Sequence, residues 1–130
     1  MRVLVTRAAD DAGALAEALR ARGHDPVVEP LIAFEPLDET PIPTGDFQAL
    51  LATSRLAIRA LVRRPVEVRR LMSTPLVAVG AATAAAATAA GFGDVRTAGG
   101  DAAALVGEVA ASLDPAAGPL LHIAGENLAA

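Results

Sequence analysis

Cysteine, lysine, tyrosine and tryptophan are all missing from this 130-residue chain, and aromatic residues reach only 2% through three phenylalanines. Without cysteine there are no disulfides, iron–sulfur clusters, thiol nucleophiles or cysteine-ligated zinc. The scarcity of aromatics argues against base-stacking nucleic-acid binders and aromatic sugar platforms. Two histidines, His24 and His122, leave little for a histidine metal site, and no metal is expected. His24, beside Gly23, reads as a surface residue, whereas His122 sits in an apolar run and reads as a core residue. Long uncharged apolar runs are scarce too. The stretch from Leu76 to Asp94 is punctuated by Gly80, Thr83 and Gly91 and reads as soluble rather than membrane-spanning. The opening MRVLVTRAADD turns acidic at Asp10 and Asp11, after an apolar run too short for a signal peptide. A cytoplasmic protein is expected.

What is present is an apolar fraction of 53%, enough for a real core in one ordinary domain or two small ones. The net charge of −4 conceals an asymmetry, because all 11 basic residues are arginine. Arg55, Arg59, Arg63, Arg64, Arg69 and Arg70 fall in one short stretch and face only Glu67. A basic patch inside an acidic protein suits a small polyanion better than duplex DNA, which requires a broadly basic face. A solvated helix face is the plainer reading of Arg55, Arg59 and Arg63.

The element pattern alternates. Val3, Leu4 and Val5 predict a strand, followed by a helix capped by Asp10 or Asp11 and closed by Gly23 as a C′ residue. A second strand is expected from Val27 to Ile32. This β-α-β unit is too small to fold alone. Three prolines and a glycine between Phe34 and Gly45 mark a boundary, so the chain divides into residues 1–33, a linker 34–45, and residues 46–130. In the last part, strands are expected at 47–52, 76–79, near Val95 and at 120–123. Helices separate them: one capped by Ser54 and stopped by Pro65, a short piece to Met72, an alanine helix over 81–90 closed by Gly91, and one capped by Asp101. Alternating strands and helices imply an α/β fold with doubly wound parallel sheets.

In such sheets, ligands bind beyond the carboxyl ends of the strands, where helix N-termini present unpaired N–H groups. The junctions of that kind are Thr6-Arg7, Thr53-Ser54-Arg55, Gly80-Ala81-Ala82-Thr83, Gly99-Gly100-Asp101 and Gly125-Glu126. None is a GxGxxG or GxxxxGK[ST] loop, so nucleotide phosphate binding is unsupported. Cradling carboxylates needs only backbone N–H groups and a few Arg, Ser or Thr donors. Ser54 has an alternative role as a helix cap, and Thr83 could simply bond its own helix backbone. Glu126 is the one acid placed where chemistry could use it.

Taken in order, the junction motifs resemble uroporphyrinogen-III synthase. LVTR at 4–7 and EPLI at 29–32 are similar to the family's start, TSRLAI at 53–58 to its TS-x-N-A-V segment, and VGAATA at 79–84 followed by GF at 91–92 to its VG-x-x-TA…GF segment. GGDAAAL at 99–105 and PLLHIAGE at 119–126 continue in register. The resemblance implies two flavodoxin-like parallel-sheet lobes joined by a two-stranded linker, with neither cofactor nor metal. It implies closure of the linear tetrapyrrole hydroxymethylbilane, a polycarboxylate, to uroporphyrinogen III with inversion of ring D. By the same resemblance Thr83 lies in the cleft as the catalytic candidate. Ser54, Thr53, Arg7, Arg55, Gly80, Ala81 and Gly125 are the expected substrate-binding positions.

The sequence departs from the pattern where Ala8 replaces the proline usual after LVTR and where Leu56 replaces asparagine. Family members are longer, and the tyrosine they place in the cleft has no counterpart here. The chain is therefore expected to be the N-terminal portion, with an incomplete first lobe that could associate or exchange its first segment and with weak or absent activity by itself. A non-enzymatic flavodoxin- or receiver-like binding module is the competing class. Asp10 and Asp11 imitate a receiver's acids, but the chain lacks the lysine a receiver uses.

Overall fold

The computed structural model describes residues 1–125 and divides the chain into two compact units, Met1–Pro36 and Leu37–Ala130. In the first unit, β1 (Arg2–Val5) pairs in parallel with β2 (Asp25–Val28), and α1 (Ala9–Arg20) makes the crossover. Asp10 and Asp11 do not cap α1. They lie inside its first turn, and Ala8 occupies the N-cap without a side-chain bond. Their carboxylates still suit the positive end of the helix. The C-terminus matches the expectation for Gly23, which has φ 79°. The Gly23 N–H donates to the Arg20 carbonyl and the His24 N–H to the Leu19 carbonyl, the paired bonds of a Schellman motif.

The second strand is shorter than expected, ending at Val28 instead of Ile32. Pro30 cannot donate to a ladder, and β1 ends opposite Val28, so Leu31 and Ile32 lack a strand to pair with. The Glu29 and Leu31 N–H groups still reach the carbonyls of Val5 and Thr6. No strand occurs between Glu29 and Gln48.

The second unit carries a four-stranded, all-parallel sheet in the order β5-β4-β3-β6, from β3 (Ala49–Ala52), β4 (Leu76–Ala78), β5 (Val95–Thr97) and β6 (Leu120–Ile123). The helices are α2 (Arg55–Val62), α3 (Pro65–Leu71), α4 (Ala81–Ala89) and α5 (Ala102–Ser112). Winding runs outward from β3 to β5 and then returns to the far side of β3. Right-handed crossovers therefore put α5 on the face opposite α2, α3 and α4. Alternation along the strands turns Leu50, Ala52, Leu76 and Ala78 toward the three-helix layer, where they pack with Ile58, Leu61, Val68, Leu71, Ala87 and Phe92. Each large side chain buried there contributes about 2 kcal/mol.

Local signals explain the helix boundaries. The Leu56 N–H donates to the Ser54 hydroxyl oxygen at the start of α2, and the Ala104 N–H donates to the Asp101 carboxylate at the start of α5. Pro65 at the first position of α3 costs no intrahelical bond. Gly91, with φ 102°, ends α4 in a second Schellman motif, and this brings Phe92 against Ala87, both buried. His122 is exposed, contrary to the reading of a core residue, because β6 is an edge strand whose alternate residues, Leu121 and Ile123, face the core. His24 is half-buried and not a plain surface residue; its Nδ1 is buried without a partner among the described residues.

Candidate functional site

The strand register levels one end of the four-stranded sheet. Ala52 is paired with Ala78 and with Ile123, and Ala78 with Thr97, so the strands finish side by side. With strands about 4.8 Å apart, Thr53-Ser54, Gly80 and Ala124-Gly125 emerge as neighbours along that edge. The winding reverses at β3, so the crevice between β3 and β6 is the topological switch point where open α/β sheets bind ligands. Thr53 and Ser54 leave one wall of it and Gly125 the other. Of the residues named from sequence, Thr53, Ser54, Arg55, Gly80, Ala81, Thr83 and Gly125 share this end of the second unit. Arg7 stands exposed after β1 in the first unit. Glu126 lies outside the described residues.

The hydroxyls here differ in state. Ser54 is occupied as the α2 cap, its oxygen accepting from Leu56 N–H at 3.0 Å. Its own hydroxyl proton remains available to donate, so cap and ligand contact are compatible. Thr53 is exposed. Thr83 is only 6% exposed, a buried polar residue among the described residues. Its hydroxyl has no hydrogen-bond partner among the described residues, unlike the exposed Thr88, whose hydroxyl donates to the Ala84 carbonyl one turn back. Thr83 therefore does not use the backbone bond that would satisfy it locally. Its N–H and that of Ala84 are both taken by the Gly80 carbonyl, which leaves Ala81 and Ala82 as the open N–H donors of α4.

Electrostatics separates the helix ends. Neither α2 nor α4 has an acidic residue in its first turn. The α5 N-terminus, in contrast, is already neutralised by the Asp101 carboxylate, 2.7 Å from the Ala104 nitrogen. An incoming carboxylate is thus favoured at α2 and α4 and opposed at α5. Arg55 opens α2 and Arg59 lies one turn further, both exposed. Two hollows lie elsewhere. One of about 350 Å³, in the first unit, is lined by Ala8, Asp10, Pro30, Leu31 and Phe34. The other, of about 260 Å³, lies at the amino end of the four-stranded sheet beside Asp46, Phe47, Arg70 and Thr74.

The basic stretch is not one polyanion patch. Arg63 pairs with Asp38 at 3.4 Å, Arg64 donates to the Thr40 carbonyl at 2.6 Å, and Arg70 to the Pro43 carbonyl at 3.1 Å. Pro41 and Pro43 prevent this segment from joining a ladder, so its carbonyls need outside donors, and the guanidinium groups supply them. Spacing along the sequence could not separate these arginines from Arg55 and Arg59, since all share helical intervals. Two features of the site were invisible locally. One is the switch point, which depends on strand order. The other is the charge of Asp101, which sequence reads only as a cap.

The fold defines a doubly wound α/β protein in which the start of α2, capped by Ser54, and the start of α4, without a side-chain cap, lie at the carboxyl end of the parallel sheet. Among the described residues, no helix is long and apolar enough to cross a membrane. The family model of uroporphyrinogen-III synthase HemD matches residues 13–129, and the chain belongs to that family of cyclising lyases of tetrapyrrole and heme biosynthesis. A search of curated proteins returned no match to the chain.

Proposed function

We propose that the carboxyl end of the four-stranded sheet binds the acidic side chains of hydroxymethylbilane and supports its closure to uroporphyrinogen III. The α2 and α4 N-termini, with Ser54, Thr53, Ala81 and Gly80, hold carboxylates; Gly125 keeps the far wall of the crevice free of side chains. Arg55, at the start of α2, supplies positive charge. Loss of the substrate hydroxyl as water leaves an azafulvene cation, and the substituted α-carbon of ring D attacks it to give a spiro intermediate. Reopening and reclosure then invert that ring. Little covalent work falls to the protein. Its contribution is to hold the folded geometry in which the substituted carbon lies closer than the free one.

Thr83 carries this reading. The residue is buried while its hydroxyl makes no hydrogen bond among the described residues, and it stands in the first turn of α4, where an anion is favoured. We assign it the role of donating to a substrate oxygen, either a carboxylate or the departing hydroxyl. The test is the isomer composition of uroporphyrinogen formed from hydroxymethylbilane. Spontaneous closure gives type I, so an excess of type III reports ring inversion by the protein. Thr83→Ala should lower the type III rate by about tenfold or more, while Thr88→Ala should leave it unchanged. Type I product alone, or equal rates in the two variants, overturns the assignment.

A further inference from the structure

The two ends of the segment that connects the units are held very differently. On the side of the first unit, the last backbone bond is the one from Leu31 N–H to the Thr6 carbonyl. On the side of the second unit, the segment is tied from Asp38 onward: by Arg63 to Asp38, by Arg64 to Thr40 and by Arg70 to Pro43, while Ile42 packs against the main core. Between these anchors, no hydrogen bond or ion pair of residues 32–36 occurs among the described residues, and all of them are exposed.

Arg64 is the centre of the tie. Its side chain is 17% exposed and that of Glu67 29%, so the ion pair is partly enclosed. Nε and Nη2 of Arg64 both donate to Glu67 Oε1, at 3.2 and 3.0 Å, while Nη1 reaches the Thr40 carbonyl at 2.6 Å. Pro65, at the first position of α3, places Glu67 in the first turn, where its carboxylate meets the guanidinium that starts the helix. Holding the fork by two nitrogens fixes the direction of the third, which is what a planar guanidinium permits and an ammonium does not.

We infer that Arg64, oriented by Glu67, anchors residues 38–43 to the second unit, so that the untied part of the connecting chain is residues 32–36 and not the whole proline-rich segment. The inference does not depend on the assignment of Thr83. Arg64 is a positioning residue: it sets the point at which the chain leaves the second unit.

The sequence contains its own probes, since Phe34 lies in the untied part and Glu39 in the anchored part. Chymotrypsin cuts the full chain after Phe34 and a glutamate-specific endoprotease cuts it after Glu39; the ratio of cleavage after Glu39 to cleavage after Phe34 is divided by the same ratio in urea-unfolded protein, which cancels intrinsic site preference. Cleavage after Glu108, in α5, reports any global unfolding. The normalised ratio in the wild type should be about one tenth, in line with a charge-assisted anchor. Arg64→Met should raise it close to unity, and Glu67→Gln should raise it by a smaller factor, with Glu108 still protected. A wild-type ratio near unity overturns the inference whatever the variants do. So does an unchanged ratio in Arg64→Met. If Arg64→Met exposes Glu108, the decision passes to Glu67→Gln, where no rise is again fatal to the inference.

Discussion

The two units are written in the same β-α-β grammar, yet only one has a core. The second unit buries Leu50, Ile58, Leu61, Leu71, Leu76 and Val77 almost completely, between a four-stranded sheet and helices on both faces. The first buries mainly small residues, Val5, Ala8, Ala12 and Ala16, and leaves Leu4 at 62%, Leu31 at 78% and Phe34 at 57% exposure. Its two strands have α1 on one face, and Leu4 points away from that face. Two strands and one helix form a recognisable motif but supply too few layers to enclose large side chains. Element formation and core formation are therefore separate achievements: the first needs only local signals, whereas the second needs a second sheet face to be covered.

The sharpest way to break this contrast is to delete the same side chain in each unit. Leu50→Ala, at a fully buried position, is expected to cost about 3 kcal/mol. Leu4→Ala should cost less than about 0.5 kcal/mol. Urea denaturation of both variants checks this, and equal costs would mean that the first unit has a core of its own.

Helix capping offers a smaller test. Removing the cap of α5 with Asp101→Ala should destabilise the second unit by about 1 kcal/mol. The reverse change belongs in the first unit, where Ala8 holds an extended N-cap conformation, φ −50° and ψ 142°, without a side-chain bond. Ala8→Ser should stabilise α1 by about 0.5 kcal/mol, read as slower amide exchange along that helix. No change would mean that the N-terminus of α1 is already satisfied from outside the helix.

The smallest effect is on pH dependence and belongs to the second unit alone. The Glu67 carboxyl is held below the ordinary glutamate range, first by a hydrogen bond from its own backbone N–H, then by the Arg64 side chain and the charges of Arg64 and Arg70; partial burial opposes them. A lowered folded-state pKa means that folding favours the ionised form. The stabilisation is then complete above the ordinary glutamate range and is lost as the pH falls through the folded-state value. Glu67→Gln lacks this dependence. The difference in melting temperature between wild type and Glu67→Gln should thus shrink on acidification, and a constant difference would remove the carboxylate from the anchor.

Much of the molecule is legible in the residues because the physics is short-range. Gly23 and Gly91 end helices since a left-handed residue there costs glycine nothing. Ser54 and Asp101 begin helices since their oxygens reach N–H groups two and three residues ahead. The candidate site was legible to the same extent: strand-end hydroxyls and helix starts follow from the alternation. Apart from the α1 cap, which falls on Ala8 and not on Asp10 or Asp11, the readings that failed were those that needed a neighbour. His122 lies in an apolar run, but its exposure depends on β6 being an edge. The arginines at 63, 64 and 70 look like those at 55 and 59 until Asp38 and the carbonyls of Thr40 and Pro43 come beside them.

The family match covers residues 13–129, and the junction motifs from EPLI at 29–32 onward fall within it. Sequence by itself determined the α/β class, the family and the helix boundaries other than the start of α1, the boundaries through backbone bonds that span a few residues. Tertiary structure alone decided the strand order β5-β4-β3-β6, and with it the crevice between Thr53-Ser54 and Gly125. It also decided which arginines serve the connecting segment, and that the Thr83 residue is mostly enclosed while Thr88 is exposed and bonds back to the Ala84 carbonyl. Strand order depends on which faces bury the most apolar surface when distant segments meet, and no spacing along the chain encodes that partner choice.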